Sequence, residues 1–407
     1  MMGQGRQKPV LVVGAGIGGL TAALALARRG VPVEVYEQRA GRTIELAGTG
    51  MTIWSNATTA LGTLGIADEI IRAGEVITRV RNVNEKDELV FETDVDALRW
   101  EGSLPSVSIA RGALVRVLLE ACERHGVPVH FDAPFADVTD DRTGVTMRLA
   151  DGTSVPGSAL IGADGVRSAV RARLVGDGEP TYYGISVWRG LSAGSGGIEP
   201  GLVHMFQTGS RAGLAGMAWH VGEGRVAWTI GMKAPAGVKE SPRTMHGSVM
   251  AAIRDVQGPP RRYVAETDPA GVIRVDLYAR DRHCWGQGLI TFVGDAGHAM
   301  PTVLGQGACQ AIEDAVVLGD CFDDGAADRQ TVLRAYERRR EERVNLIRGQ
   351  VYRIARMQQW SSPVLVLLRD FAARVIVPRI QPKMWRGLLQ PPAVRSLGPA
   401  GMSSAGQ

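Results

Sequence analysis

Three glycine-bearing stretches hold the residues able to do chemistry. The first is Gly14-Ala15-Gly16-Ile17-Gly18-Gly19, where Gly14, Gly16 and Gly19 make a G-x-G-x-x-G spacing. The second is Gly162-Ala163-Asp164-Gly165-Val166-Arg167-Ser168. The third is Gly294-Asp295-Ala296-Gly297-His298, continued by Gly305-Gln306-Gly307-Ala308. In the first stretch one glycine allows a tight turn, one lets the backbone approach a pyrophosphate, and one lets helix and strand pack closely. Phosphates then sit at a helix N-terminus, where free N–H groups and the dipole favour negative charge. Glu37, with Gln38 beside it, follows at about 20 residues, where a carboxylate accepts both ribose hydroxyls. An acid there disfavours a 2′-phosphate, so the dinucleotide is FAD or NAD rather than NADP.

Such residues need elements to position them. Residues 9–13 are β-branched and read as a buried strand, residues 20–29 as an Ala/Leu-rich helix ended by Gly30, and residues 31–36 as a second strand. Residues 158–161 form another buried run ending in the second motif, and residues 289–293 run into the third. A helix is expected over 111–125, starting at Arg111 and stopped by Gly126, and another over 308–321. Residues 76–100 alternate as two or three strands of an antiparallel sheet. Between 182 and 267 the texture changes to short alternating runs at 183–191, 202–207, 213–220 and 225–232, with one helix at 242–256. No βα unit intervenes, which points to a separate sheet. Residues 328–389 read as mostly helical. Arg369, Asp370 and Arg374 interrupt the apolar run 363–377, which is expected to be a packed amphipathic helix and not a span.

Composition bounds the function. A chain of 407 residues holds two to three domains, and 45% hydrophobic with 22% charged residues is ordinary for a globular enzyme. A net charge of +4, scattered along the chain, gives no case for nucleic acid. Residues 337–343 mix signs at helical spacing and read as a solvated face with pairs such as Arg338 with Glu342. The four cysteines form no C-x-x-C and have no His at metal spacing, which points to reduced thiols, no metal and a cytoplasmic protein. Arg6 and Lys8 precede an uncharged run, but glycines interrupt it and no A-x-A site follows, so secretion and a membrane span are not expected. Residues 1–8 and 390–407 read as disordered tails.

The three motifs, in this order, closely resemble single-component flavoprotein monooxygenases of the para-hydroxybenzoate hydroxylase type, over residues 10–377. The resemblance implies an α/β fold: a Rossmann-like FAD-binding domain, an inserted mostly antiparallel β-sheet substrate domain and a C-terminal helical segment. It assigns residues 9–75, 101–180 and 272–325 to the first, 76–100 and 181–271 to the second, and 326–389 to the third. It implies FAD as cofactor, NADH or NADPH as electron donor and O2 as co-substrate. A flavin C4a-hydroperoxide would hydroxylate an aromatic or polycyclic small molecule. Epoxidation, Baeyer–Villiger insertion and a reductase without oxygen transfer stay open, as does the oligomeric state.

The same resemblance places Asp164 near the FAD pyrophosphate, Asp295 on a ribityl hydroxyl, Arg111 on the flavin and Val138 beside the adenine. It sets Gly305, Gln306, Gly307 and Ala308 beside the pyrimidine edge of the flavin, N–H groups aimed at N1–C2=O. Two positions depart from the family. Pro301-Thr302 stands where two prolines are common, and Cys309 where Asn is common near the ring. Substrate contacts are expected from the second sheet. Arg189 alternates with Val187 and Ile185, and Met217, Trp219 and Trp228 suit an apolar, aromatic-accepting cavity. Arg211 matches a basic residue that faces substrate in the urate-hydroxylase branch, a substrate-orienting role. His298 reads as packing.

Overall fold

Every residue of the strand Val10–Val13 is buried, as a strand with parallel neighbours on both sides requires. The computed structural model describes residues 7–41, 49–208, 214–323, 328–360 and 362–390. Val10–Val13 is the middle of a parallel five-stranded sheet in the order Ile290–Phe292, Ala159–Gly162, Val10–Val13, Val33–Tyr36, Val129–His130. Register sets Val13 beside Gly162, and Gly162 beside Phe292. The three motifs therefore leave three adjacent strands side by side at their carboxyl ends, where open parallel sheets bind ligands. The helix Ile17–Ala27 packs against Gln306–Asp323 and Arg111–Arg124. Gly14 has φ +105, and a Cβ on Gly19 would lie 1.9 Å from the Gly14 carbonyl oxygen, so both glycines are needed to fold the turn.

A second, seven-stranded sheet runs in the order Ile273–Ala279, Thr181–Ser192, Val226–Lys233, Ala215–His220, Leu202–Gln207, Arg79–Val83, Leu89–Asp94. Its neighbours are antiparallel except Leu202–Gln207 with Arg79–Val83. Side chains alternate between its faces. Trp188, Ala218, Trp228 and Ile230 pack on one side with Val249, Tyr263 and Val264 of the helices Pro242–Ala252 and Pro259–Ala265. The other side looks toward the parallel sheet.

Three expectations are corrected. A second helix, Pro259–Ala265, follows the one expected helix; its two prolines occupy the first turn, where the missing N–H costs nothing. Glu75–Ile77 leaves the 76–100 region to pair with Ser106–Ala110 in a small separate sheet. The charged run 337–343 is solvated on one side only: Arg338, Arg339 and Glu342 are exposed, while on the same helix, Arg329–Gln358, Arg340 is fully buried against Glu313 and Asp314. Among the described residues, no helix is long and apolar enough to cross a membrane.

Candidate functional site

A cavity of about 430 Å³ lies between the carboxyl edge of the parallel sheet and the second sheet. Gly16, Ala163, Gly165, Gly294 and Asp295 line one wall, all from the three motif loops. Gly305, Gly307 and Ala308 continue that wall where the helix Gln306–Asp323 begins. Arg111 enters from the first residue of its own helix. The opposite wall is Val187, Arg189, Met205, Met217, Trp219 and Thr229 of the second sheet. Thr52, Gln207 and Gln358 also reach the cavity and had no signature in the sequence.

The strand register explains which predicted substrate residues arrive. Arg189 pairs with Thr229, and Thr229 with Met217, so these share the cavity face. Trp228 pairs with Gly190 and Ala218 and points the other way. It is fully buried, its Nε1 donates to Thr267 Oγ1 at 2.8 Å, and it stacks on Tyr263, so its expected place at the substrate is corrected. Arg211 lies outside the described residues.

The dinucleotide residues divide in the same way. Glu37 is 6% exposed at its strand end, and its carboxylate accepts the Ala15 N–H at 2.9 Å and the Arg39 N–H at 3.0 Å. It thus braces the glycine turn. Gln38 is exposed beyond it. Val138 is core, packed with Leu11, Val13 and Met147, and does not reach the cavity. The Gln306 side chain turns inward and accepts from Asn56 and Gln310, leaving only its backbone at the loop. Cys309 is also turned away: its Sγ accepts the Trp54 N–H at 3.4 Å, so this departure removes no side chain from the cavity. Pro301 and Thr302 do line it.

Electrostatics favour an anionic or acceptor-rich guest. Burial lowers the Arg189 pKa, and the like charge of Arg111 lowers it further. Arg189 makes no hydrogen bond or ion pair with any described residue. Burial likewise lowers Arg111, with Arg39 adding to the effect and Glu37 opposing it. Asp295 is exposed within the cavity between buried neighbours; the surrounding protein pushes its pKa up, partly offset by the charge of His298. Burial also raises Asp164, whose Oδ2 accepts the Val170 N–H at 3.1 Å while Oδ1 is buried without a donor among the described residues.

Behind the site lies a polar network the sequence did not announce. Arg340 donates to Asp314 Oδ1 at 2.7 Å, Glu313 Oε2 at 2.8 Å and Gln310 Oε1 at 2.7 Å. Asp314 Oδ2 in turn accepts the Gly294 N–H at 2.8 Å and lies 2.6 Å from His298 Nε2. His298 thus fixes the turn that presents Asp295, a more specific part than packing.

The site fits an adenine dinucleotide. A Cβ on Gly16 would meet nothing within 4 Å, so the backbone opposite the helix start is open. Asp295 presents a carboxylate to the cavity, and Asp164 keeps an orphan acceptor. Fold and cavity define a class: a Rossmann-type dinucleotide-binding protein whose second sheet closes over the cofactor seat. The chain belongs to the FAD binding domain family, whose model matches residues 7–348. It is 32% identical over 369 residues to aurachin C monooxygenase/isomerase of Stigmatella aurantiaca, covering 90% of this chain and 94% of the relative. It is 30% identical over 338 residues to FAD-dependent urate hydroxylase of Klebsiella pneumoniae, covering 82% and 86%. The solved structure of Klebsiella pneumoniae HpxO complexed with FAD and uric acid superposes with a TM-score of 0.86 at 26% identity, over 96% of this chain and 98% of that one. The protein is a flavin-dependent oxidoreductase of the para-hydroxybenzoate hydroxylase type, and FAD is its cofactor.

Proposed function

We propose that this chain uses NADH or NADPH and O2 to insert one oxygen atom into an aromatic or polycyclic small molecule held in the 430 Å³ cavity. The observation that carries this reading is Arg189, a guanidinium with no partner among the described residues, set among apolar side chains on the wall facing Asp295 and Gly305. Bound FAD would supply the acceptance of electrons from nicotinamide and the activation of O2. The residues supply binding, orientation and exclusion of water. Gly16 and the first turn of Ile17–Ala27 would hold the pyrophosphate with the cation of Arg111, and Asp164 on the adjoining loop would offer an acceptor to a cofactor hydroxyl. Asp295 would accept a ribityl hydroxyl, and the backbone of Gly307 and Ala308, at the start of the helix, would offer N–H donors to the flavin ring.

On the substrate side, Arg189 pairs with an anionic or hydrogen-bond-accepting group on the ring, while Met217 and Trp219 pack its faces. Apolar walls keep water from the reacting atoms. Arg211 is assigned a substrate-orienting role on its match to the urate-hydroxylase branch. The test is a screen of aromatic compounds for faster NAD(P)H oxidation by the FAD-loaded protein. The reading requires a compound that stimulates oxidation and whose KM rises about tenfold in Arg189→Met at unchanged flavin content, the loss of one charged hydrogen bond. Stimulation indifferent to Arg189→Met would remove Arg189 from the substrate, and protein that takes up no FAD would remove the whole reading.

A further inference from the structure

The helix Pro363–Val375 was expected to be packed, and only one side of it is. Among the described residues, thirteen large hydrophobic side chains are exposed, and eight of them lie between 364 and 380. Val364, Leu367, Leu368, Phe371 and Val375 fall at offsets of 0, 3, 4, 7 and 11, one stripe on a helix. Leu367 is 71% exposed and Phe371 60%. The next helix, Val377–Leu389, adds Ile380 at 53%.

Charge is concentrated in the same place. Residues 362–390 contain five cations (Arg369, Arg374, Arg379, Lys383 and Arg386) against the single acid Asp370, a net +4. Removing them from the chain's 46 Lys and Arg and 42 Asp and Glu leaves 41 of each, so the whole net charge of the protein resides in this segment. Arg379, Lys383 and Arg386 are exposed.

The segment is tied down on its other side. Arg369 is buried and donates to the Thr208 carbonyl at 3.5 Å, just past the strand whose Met205 and Gln207 line the cavity. Trp385 packs edge-on against Trp54 at 4.8 Å, and Trp54 Nε1 donates to the Leu304 carbonyl at 3.0 Å. Both helices are thereby anchored to walls of the cavity.

We propose that this face docks on an anionic lipid surface. An apolar stripe beside a row of exposed cations is the pattern of a helix lying in a bilayer interface. At 13 residues the helix is far short of the roughly 20 needed to span, so it lies in the plane. Charge argues against a second copy as the occupant. A two-fold contact puts the same patch on itself, here the exposed Arg379, Lys383 and Arg386 against the same three cations. Docking there would bring the oxygenating cavity to a surface that stores apolar substrates.

The experiment is vesicle flotation of the full, flavin-loaded chain. Neutral phosphatidylcholine vesicles are compared with vesicles in which phosphatidylglycerol makes up a third of the lipid. Binding to the anionic vesicles should be about tenfold stronger and weaken with salt. Leu367→Glu with Phe371→Glu should abolish it, and Arg379→Glu with Lys383→Glu should reduce it to the neutral level. Both variants should keep flavin content and melting temperature, since these side chains are exposed. A chain that floats with neither vesicle overturns the proposal. So does a dimer by light scattering that Leu367→Glu splits without any vesicle binding, which assigns the face to a second copy. Vesicle binding that appears only after removal of residues 391–407 overturns it too, giving the face to the chain's own tail.

Discussion

Arg340 donates through Nε to Asp314 Oδ1 at 2.7 Å, and both side chains are fully buried. This pair joins the helix Arg329–Gln358 to the turn carrying Asp295, because the other Asp314 oxygen accepts the Gly294 N–H. Removing one partner leaves an uncompensated buried charge, which costs far more than the pair contributes. Arg340→Leu should therefore lower stability by about 3–5 kcal/mol, read from urea unfolding. The triple variant with Glu313→Gln and Asp314→Asn should recover much of that loss. A single variant as stable as the parent would contradict the role given to the pair.

The same network sets a pH dependence. Burial by itself would raise the Asp314 pKa, but the charges of His298 and Arg340 outweigh it and hold the group at about 2. Its ordinary value is 3.8. A carboxyl depressed in the folded state adds stability that is complete above its unfolded pKa and is lost as pH falls through its folded pKa. The parent should lose stability between the ordinary 3.8 and about 2, and Asp314→Asn should flatten that window. Parallel pH curves for parent and variant would rule the assignment out.

The glycines of the first turn should separate folding from cofactor binding. A Cβ on Gly19 would collide with the Gly14 carbonyl at 1.9 Å, whereas one on Gly16 meets nothing within 4 Å. Gly16 is also extended, with φ −73, so alanine fits its backbone. Gly16→Ala should melt like the parent apoprotein yet bind FAD at least about tenfold more weakly, because its methyl fills the pyrophosphate approach. Gly19→Ala should yield misfolded protein. A Gly16→Ala variant with full flavin affinity would move the phosphates elsewhere.

Thiol chemistry should follow burial. The Cys122 and Cys309 thiols are both pushed up to about 12, by burial first and by nearby Glu charges after it. Cys321 is 2% exposed, and only Cys284 is partly open to solvent. Near neutral pH a colorimetric thiol reagent should modify one cysteine of the native protein and all four after denaturation. Native labelling of Cys309, found by mass spectrometry, would mean that the Trp54–Cys309 contact opens in solution.

Much of the architecture was legible because it is written in consecutive residues. A β-branched run, a glycine turn and a helix following at once need no distant partner to be recognised, and Asp164 and Asp295 were legible as acids at strand ends. Sidedness was not. Trp228 suits an aromatic-accepting cavity by its type, but its strand alternates, and alternation gives two faces without saying which one is lined. Pairing with Ala218 and Gly190 decides it, across sequence distances no local pattern spans. Arg340 was misread for a related reason: a charged run looks solvated until the acids of another helix, Glu313 and Asp314, are known to lie opposite. Cys309 and Gln306 sit on the right helix, and only its packing on Trp54 and Asn56 turns their side chains away from the cavity.

Isotopically labelled O2 tests the central claim most directly. With FAD, NADH or NADPH and a compound that stimulates their oxidation, the product should gain one oxygen atom, and that atom should carry the label. Reduction of the flavin that returns all its electrons to hydrogen peroxide, with every stimulating compound left unoxygenated, would contradict monooxygenation and leave a flavoprotein reductase on this fold.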